Sequence, residues 1–513
     1  MSNRSNGSRA TQTEVGSRVR GMGCHEKLQA ALSSLDQYRG TVVACRYYLP
    51  STLARPEDLA TLKTKIYEAV ARVVLSQGHL QLGVAGIDTK NPGFIRLGSI
   101  DLRNHVVWTS LDEEDDFEHM HEISMQTQLD SRFDNISTIP GWRIVVLHKP
   151  GMDSIEISYA WNHIHHDGMG AKIFHESLLQ NLNDASAESK ESVLTVDEQS
   201  ESRILQLPDP TATLAPNPEK LSSWPMAPKS FVSAVWRQLN PPADLCATWA
   251  PIKPSPYKTK VHNLVIDNRT VKNLIATCRK HHTTITGLIH ALVLISLSSS
   301  IPKHKGFMSR TPYNLRTILP SNPPKYPSLD PKKTMCNYVS VVDHDFDAKT
   351  VSGIRSRLPA RKEKEDTALT TDMLDDIWAT SARIRREIEA RLDMGMKNDM
   401  LGIMKVVLDW RAQQKKGAKG KRHFSWLITN IGVFDGGDQE RELANRENWT
   451  VRRGMLVLGA DTPDAAIQIG AMTMKGGDMC MTGTWQDCVV GPEVGGRLMR
   501  DLERWFGEIG AAA

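Results

Sequence analysis

Residues 162–168, Asn-His-Ile-His-His-Asp-Gly, place three imidazoles and a carboxylate side by side: His163, His165, His166 and Asp167, closed by Gly168. Imidazole is the side chain best suited to accept a proton near neutral pH, so the first chemistry to consider is general-base activation of a hydroxyl. An aspartate four residues after His163 can organise the turn by pairing with a distant arginine, and Gly168 lets that turn be tight. The same spacing, His163, His165 and Asp167, also suits a metal ion, which takes neutral imidazole nitrogens and carboxylate oxygen. Metal-dependent hydrolases built on that spacing continue with a histidine, whereas Gly168 follows here, so the reading adopted is a site without metal. A histidine cluster in a turn is otherwise simply solvated, and its flanks decide between the two.

Those flanks are apolar and periodic. Residues 142–147 and 155–161 alternate as strands, while Met169, Ile173, Phe174, Leu178 and Leu179 keep helical spacing to 182, so the histidine turn stands where a strand hands over to a helix. Upstream, Pro56 and Asp58 open a helix with Leu59, Leu62, Ile66, Val70 and Val73 on one face, which Gly78 stops. A short strand ending at Pro50 and alternation over 80–84 and 94–97 complete one mixed sheet. From 183 to about 229 the chain turns rich in Ser, Glu and Pro, the composition of a solvated crossover. The second half repeats the pattern. It has strands at 261–266, 338–342 and 425–428, a helix from Val271, a Glu- and Arg-rich helix over 371–392 and a last helix over 492–509. Thr283 or Thr284 caps a further helix that turns Ile285, Leu288, Ile289, Leu292 and Ile295 inward.

A chain of 513 residues exceeds one ordinary core, and two domains are expected. The boundaries drawn are a disordered arm at 1–22, a first subdomain at 23–185 with the histidine turn, a crossover linker at 186–229 and a second subdomain at 230–513. With 63 Lys and Arg against 59 Asp and Glu, the net charge of +4 gives no field for nucleic acid. Seven scattered cysteines without a C-x-x-C pair argue against disulfides and structural zinc. No run approaches the roughly 18 apolar residues of a membrane span. A monomer in the cytoplasm is the expectation, with the amphipathic stretch 28–35 as the one place for peripheral membrane contact, against the commoner reading of a core-facing helix.

The histidine turn resembles the HxxxDG motif of the CoA-dependent acyltransferase superfamily, which includes chloramphenicol acetyltransferase, dihydrolipoyl acyltransferases, plant BAHD enzymes and peptide-synthetase condensation domains; His163, Asp167 and Gly168 match it. More closely, the chain resembles the fungal alcohol O-acetyltransferase family from about 26 to 506. The resemblance is carried by EKLQAALSSLDQYRGTVVACRYY, GIDTKNPGFIRLGSIDL, PGWRIVVL, CRKHHTTITGLIHALV, YNLRTILP and TNIGVFDG. It implies an α/β (α+β) architecture of two chloramphenicol acetyltransferase-like domains, each a mixed sheet flanked by helices, with an active-site tunnel between them. It also implies acetyl-CoA as co-substrate, no bound cofactor, and a small apolar alcohol, including terpenoid or polyketide alcohols, as acceptor. Two alternatives within the fold are a condensation-like catalyst fed by a carrier-protein thioester and a non-catalytic binding relative.

On this resemblance His163 is the general base and Asp167 shapes the turn, with Arg316 of Asn314-Leu315-Arg316 as its partner, an arginine fork being able to hold a buried carboxylate. Thr429 of Thr429-Asn430-Ile431-Gly432 resembles the hydroxyl residue of the dihydrolipoyl acyltransferase S-N-L-G and would stabilise the oxyanion, with Asn430 and Gly432 shaping the turn. Many relatives carry an arginine after E-K in the first motif, where this chain has Leu32. The basic run 415–422 is a candidate for the CoA phosphates, without a commitment to individual residues. Trp161, Met169 and Met308 are either alcohol-pocket lining or core.

Overall fold

A computed structural model describes residues 16–184, 191–197, 202–209, 214–358, 368–437 and 447–512. The strands of its two large sheets are β1 (Thr41–Tyr48), β2 (Val106–Ser110), β3 (Trp142–His148), β4 (Ser154–Trp161), β5 (Thr259–Ile266), β6 (Phe307–Asn314), β7 (Val339–Phe346), β8 (Trp426–Phe434), β9 (Thr450–Leu458), β10 (Ile467–Met474) and β11 (Met479–Gln486). The first sheet runs β9-β1-β4-β3-β2, antiparallel except for the parallel β2 and β3. The second runs β5-β11-β10-β8-β6-β7, with β8 parallel to both β6 and β10. Both sheets are mixed.

Helices α1 (Cys24–Ser34), α2 (Leu59–Ser76) and α3 (Gly168–Leu182) belong to the first half, and α4 (Ile285–Ser300), α5 (Thr371–Asp393) and α6 (Gly495–Ala511) to the second. The face predicted on α2 is buried at Leu62, Ile66, Val70 and Val73, where it joins Ile173, Phe174 and Leu178 of α3 over the first sheet. α4 is buried along nearly its whole length between its sheet and helices α5 and α6, so its uniformly apolar sequence reflects burial on all sides. Thr284 is its N-cap, accepting the Gly287 amide. No single helix among the described residues is long and apolar enough to cross a membrane. The stretch 28–35 lies mostly in α1 and faces inward: Ala30, Ala31 and Leu32 are buried.

Four expectations change. The segments 80–84 and 94–97 do not complete the first sheet: Leu82–Ala85 and Gly93–Arg96 pair with each other in a separate three-stranded sheet, because the partner of the second is the N-terminal strand. The arm assigned to 1–22 is outside the described residues up to 15, but Arg18–Gly21 is a strand on Gly93–Arg96, held by Arg18 donating to the Asn91 and Pro92 carbonyls. The linker assigned to 186–229 is more than a solvated crossover. Its described segments Leu194–Asp197 and Ser202–Gln206 pair with each other, the second also pairs with Ser99–Asp101, and Leu194 and Leu205 enter the first core. Single leucines among Ser and Glu are enough to anchor such strands, and composition hides them. Finally β9, from the second half of the chain, pairs along its length with β1 of the first sheet. Ile431 and Phe434 of β8 and Met472 and Met474 of β10 enter the first core as well, so the halves share one apolar interior.

Candidate active site

β4 ends at Trp161 and α3 begins at Gly168, and the turn between them is held residue by residue. Asn162 accepts the Ile164 amide on Oδ1 at 3.1 Å and donates to Ser33 Oγ of α1 at 2.8 Å. His165 donates from Nδ1 to the His79 carbonyl at 3.0 Å and accepts the Gly141 amide on Nε2 at 3.1 Å. His166 donates from Nδ1 to the Asp167 carbonyl at 2.9 Å and accepts the Tyr159 hydroxyl on Nε2 at 2.7 Å. Its ring stacks on Trp161, with centroids 5.0 Å apart, and the Trp161 indole donates to the His166 carbonyl. Burial pushes His165 down to about 4 and His166 to about 3, so both are neutral rings that build the turn. With both His165 nitrogens spent on the protein, the H-x-H-x-D set does not fit a metal ion. Gly170 is fixed by the same packing, since a Cβ there would lie 2.6 Å from His166 Nδ1. Gly170→Ala is expected to cost about 1–3 kcal/mol of stability, measured by denaturant unfolding, because the pinned ring cannot retreat.

Asp167 is the hub of the turn. Oδ1 caps α3 by accepting the Gly170 amide at 2.9 Å, while Oδ2 accepts Arg316 Nη1 at 2.7 Å and the Tyr338 amide at 2.9 Å. Arg316 Nη2 donates to the carbonyls of Thr334 and Cys336, at 3.1 and 2.9 Å, and Nη1 also reaches Asn314 Oδ1 at 3.3 Å, while Nε has no partner among the described residues. The side chains of Arg316 and Asp167 are 1% and 4% exposed, so neither is open to a substrate. Burial alone would raise the carboxyl, but the charge and hydrogen bond of Arg316 hold it below the ordinary carboxylate range. Nothing links Asp167 to the imidazole of His163 by hydrogen bonds among the described residues, so the two form no relay.

His163 differs from its neighbours. Its ring is half-buried, its Nδ1 has no partner among the described residues, and it stands edge-on to His25, centroids 5.8 Å apart, with Tyr38 at 6.3 Å. Burial lowers its proton affinity and Asp167 partly offsets this, leaving a neutral imidazole at neutral pH. Burial, with His163 beside it, pushes His25 down to about 3. The backbone of His163 is held from the other half of the chain: Asn337 Nδ2 donates to the carbonyls of His163 and Ile164, at 2.8 and 3.0 Å.

β8 brings the second strand-to-turn segment. Thr429 is half-buried and registers with Gly470 of β10, and the ladder then shifts between Asn430 and Val433. Gly432 makes that bulge with φ +75°, its amide bonded to Asn430 Oδ1 at 2.9 Å, and Asn430 Nδ2 reaches Thr286 of α4 at 3.3 Å. Ile431 lies against the start of α3, 3.4 Å from where a Cβ on Gly168 would stand. Thus Asp167, Gly168 and Arg316 meet directly, the Thr429 to Gly432 bulge abuts Gly168, and among the described residues no hydrogen bond joins Thr429 to His163.

The basic run divides. Arg422 is buried and donates to the carbonyls of Ala250, Asp461 and Asp464, whereas Lys415, Lys416, Lys419 and Lys421 are exposed. Lys415 and Lys416 lie in the last turn of the helix Trp410–Gly417. Trp161 and Met308 are buried in the core and Met169 packs at its edge. Asn337, Asn162, His25 and Tyr38 were not among the sequence candidates. Asn162 adjoins the motif and could have been suspected, while the other three carry no spacing signal.

A family model described as alcohol acetyltransferase matches residues 113–439. The curated protein "Probable alcohol acetyltransferase FCK4" of Fusarium pseudograminearum is 24% identical over 503 residues, covering 95% of this chain and 94% of its own. Among solved structures, the TRI3 trichothecene 15-O-acetyltransferase of Fusarium sporotrichioides aligns with a TM-score of 0.66 at 12% identity, covering 94% of each chain. TRI101 of F. sporotrichioides, solved with coenzyme A and T-2, aligns with a TM-score of 0.56 at 11% identity, covering 95% of this chain and 98% of its own. The likeness to the two structures establishes the fold.

Proposed function

From the premise that this chain belongs to the alcohol acetyltransferase family, whose model spans well over half of it, we propose that it transfers an acetyl group from acetyl-CoA to the hydroxyl of a secondary-metabolite alcohol by direct attack in a ternary complex. The observation that carries the assignment of roles is the division of labour in the histidine turn. His165 and His166 spend both nitrogens on the fold, whereas Nδ1 of His163 has no partner among the described residues. His163 is then the general base. Its neutral ring takes the hydroxyl proton, the oxygen attacks the thioester carbonyl, and the imidazolium returns the proton to the departing CoA thiolate. Asp167 and Arg316 keep the turn in place across the two halves and touch no reacting atom. The division into subdomains at 23–185 and 230–513, with the site between them, belongs to this proposal.

Thr429 is the proposed donor to the oxyanion, at the lip of the bulge that abuts Gly168. Thr429→Ala is expected to raise the barrier by about 2.7–4 kcal/mol, a loss of roughly 10²- to 10³-fold in kcat, with KM for both substrates little changed. A variant as fast as wild type would remove Thr429 from the chemistry. Acetyl-CoA as co-substrate is supported by TRI101, whose structure holds coenzyme A, and a metabolite alcohol as acceptor by the substrate named for TRI3. The exposed Lys415, Lys416, Lys419 and Lys421 are placed to attract the CoA phosphates.

Initial-velocity patterns test the reading. Varying acetyl-CoA at several fixed alcohol concentrations should give intersecting double-reciprocal lines, as a ternary complex requires. Parallel lines, the signature of a covalent acyl-enzyme, would overturn direct attack.

A further inference from the structure

Two polar atoms at the site are buried without a partner among the described residues, and they are complementary. One is Nδ1 of His163, the other Oδ1 of Asn337. Asn337 is 2% exposed, and its amide cannot be turned over: Nδ2 donates to the carbonyls of His163 and Ile164, and exchanging the amide atoms would set an oxygen against two oxygens. Oδ1 is therefore committed to accepting. Its neighbours in the chain are equally engaged with the turn, Cys336 accepting the Asp167 amide at 3.3 Å and Tyr338 donating to Asp167 Oδ2. Three consecutive residues thus grip 163–167 from the other half of the molecule. Burial lowers the proton affinity of the His163 ring, and the Asp167 charge, the backbone of His163 itself and the Asn337 side chain each oppose it. Since Nδ2 of the same amide already stands 2.8 Å from the His163 carbonyl, the unpaired acceptor and the unpaired nitrogen belong to two residues bonded to one another; each is costly alone and both are satisfied together.

We propose that Asn337 is the positioning residue of the general base: its Oδ1 accepts the Nδ1–H of His163, which fixes the tautomer so that the Nε2 lone pair faces the alcohol. The inference rests on His163 being the base. It gives Asn337 two tasks through one amide, since Nδ2 holds the backbone from which the ring projects while Oδ1 holds the proton on the far nitrogen. An acceptor on Nδ1 also favours the imidazolium formed during attack, as an imidazolium is the stronger donor.

Asn337→Ala is expected to lower kcat by about 10- to 100-fold, the worth of one hydrogen bond to an imidazolium, with KM for acetyl-CoA and alcohol within about twofold of wild type. The acid limb of its kcat profile should move to lower pH, because the lost acceptor had favoured the protonated ring. Wild-type kcat, or a slow variant whose acid limb has not moved, would overturn the proposal. The tautomer itself is read on the wild-type protein, which removes any question of folding. Long-range 15N–1H correlation spectra, with His163 assigned by its absence in His163→Gln, should show Nδ1 protonated and Nε2 bare; the opposite tautomer would overturn the role of Asn337. His163→Ala assayed beside these separates the two claims. Turnover surviving in that variant sinks the base reading, whereas an inert His163→Ala beside a fully active Asn337→Ala sinks only this inference.

Discussion

Arg316→Ala should lose about 3–5 kcal/mol of unfolding free energy, the cost of removing one partner from a buried ion pair. Without the guanidinium, the Asp167 carboxylate, 4% exposed, would keep only backbone amides, and the carbonyls of Thr334 and Cys336 would lose their donor. The pH dependence follows from the direction of the Asp167 shift. Its carboxyl is held below its ordinary 3.8, so its contribution is complete at neutral pH and is lost as pH falls through the depressed folded value. In Arg316→Ala the burial that favours the neutral acid is no longer opposed, and the carboxyl should rise above 3.8. The difference in stability between the two proteins should therefore be large at neutral pH and shrink in acid, as both come to hold a protonated acid. Urea unfolding across that range checks it. Equal stability at neutral pH would mean that the pair does not hold the turn.

His163→Ala is expected to lower kcat by about 10²- to 10⁴-fold while acetyl-CoA binds as before, measured by calorimetric titration alongside turnover. The asymmetry comes from geometry. The bonds that organise the turn belong to Asn162, His165, His166 and Asp167 and survive the substitution, whereas the proton acceptor does not. Since burial lowers the His163 value below the ordinary 6.5, the wild-type rate should hold through neutral pH and fall only below the usual imidazole range. A rate that begins to fall above that range would contradict the neutral, buried base.

Much of the scaffold around the site was legible because it is locally periodic. The alternation of β3 and β4, the 3.6-residue spacing of α3 and the capping threonine of α4 each need only a short stretch of chain. The role of His163 was suggested by residue type and spacing, and Arg316 and Thr429 entered through resemblance, since nothing in Asn314-Leu315-Arg316 or Thr429-Asn430-Ile431-Gly432 says what lies opposite. What stayed hidden depends on partners far along the chain. Asn337 bonds a carbonyl 174 residues away, and an asparagine before a strand has no spacing to betray it. β9 reads as Thr-Val-Arg-Arg-Gly-Met-Leu-Val-Leu, and only its fit beside β1 tells that it joins the first sheet. His165 and His166 were equally ambiguous as letters. Their structural character is set by Gly141 and His79, which lie outside the turn's own strand, and by Tyr159 and Trp161 at its end.

Direct attack in a ternary complex requires an alcohol in place before the thioester breaks. Free-thiol release from acetyl-CoA by the wild-type protein, measured with and without a panel of short, terpenoid and polyketide alcohols and paired with mass spectrometry of the product, tests it most directly. Release should depend on a particular alcohol and be matched by its acetate ester, mole for mole. Thiol release that proceeds equally without any alcohol, or no release with any of them although acetyl-CoA is bound, would contradict it.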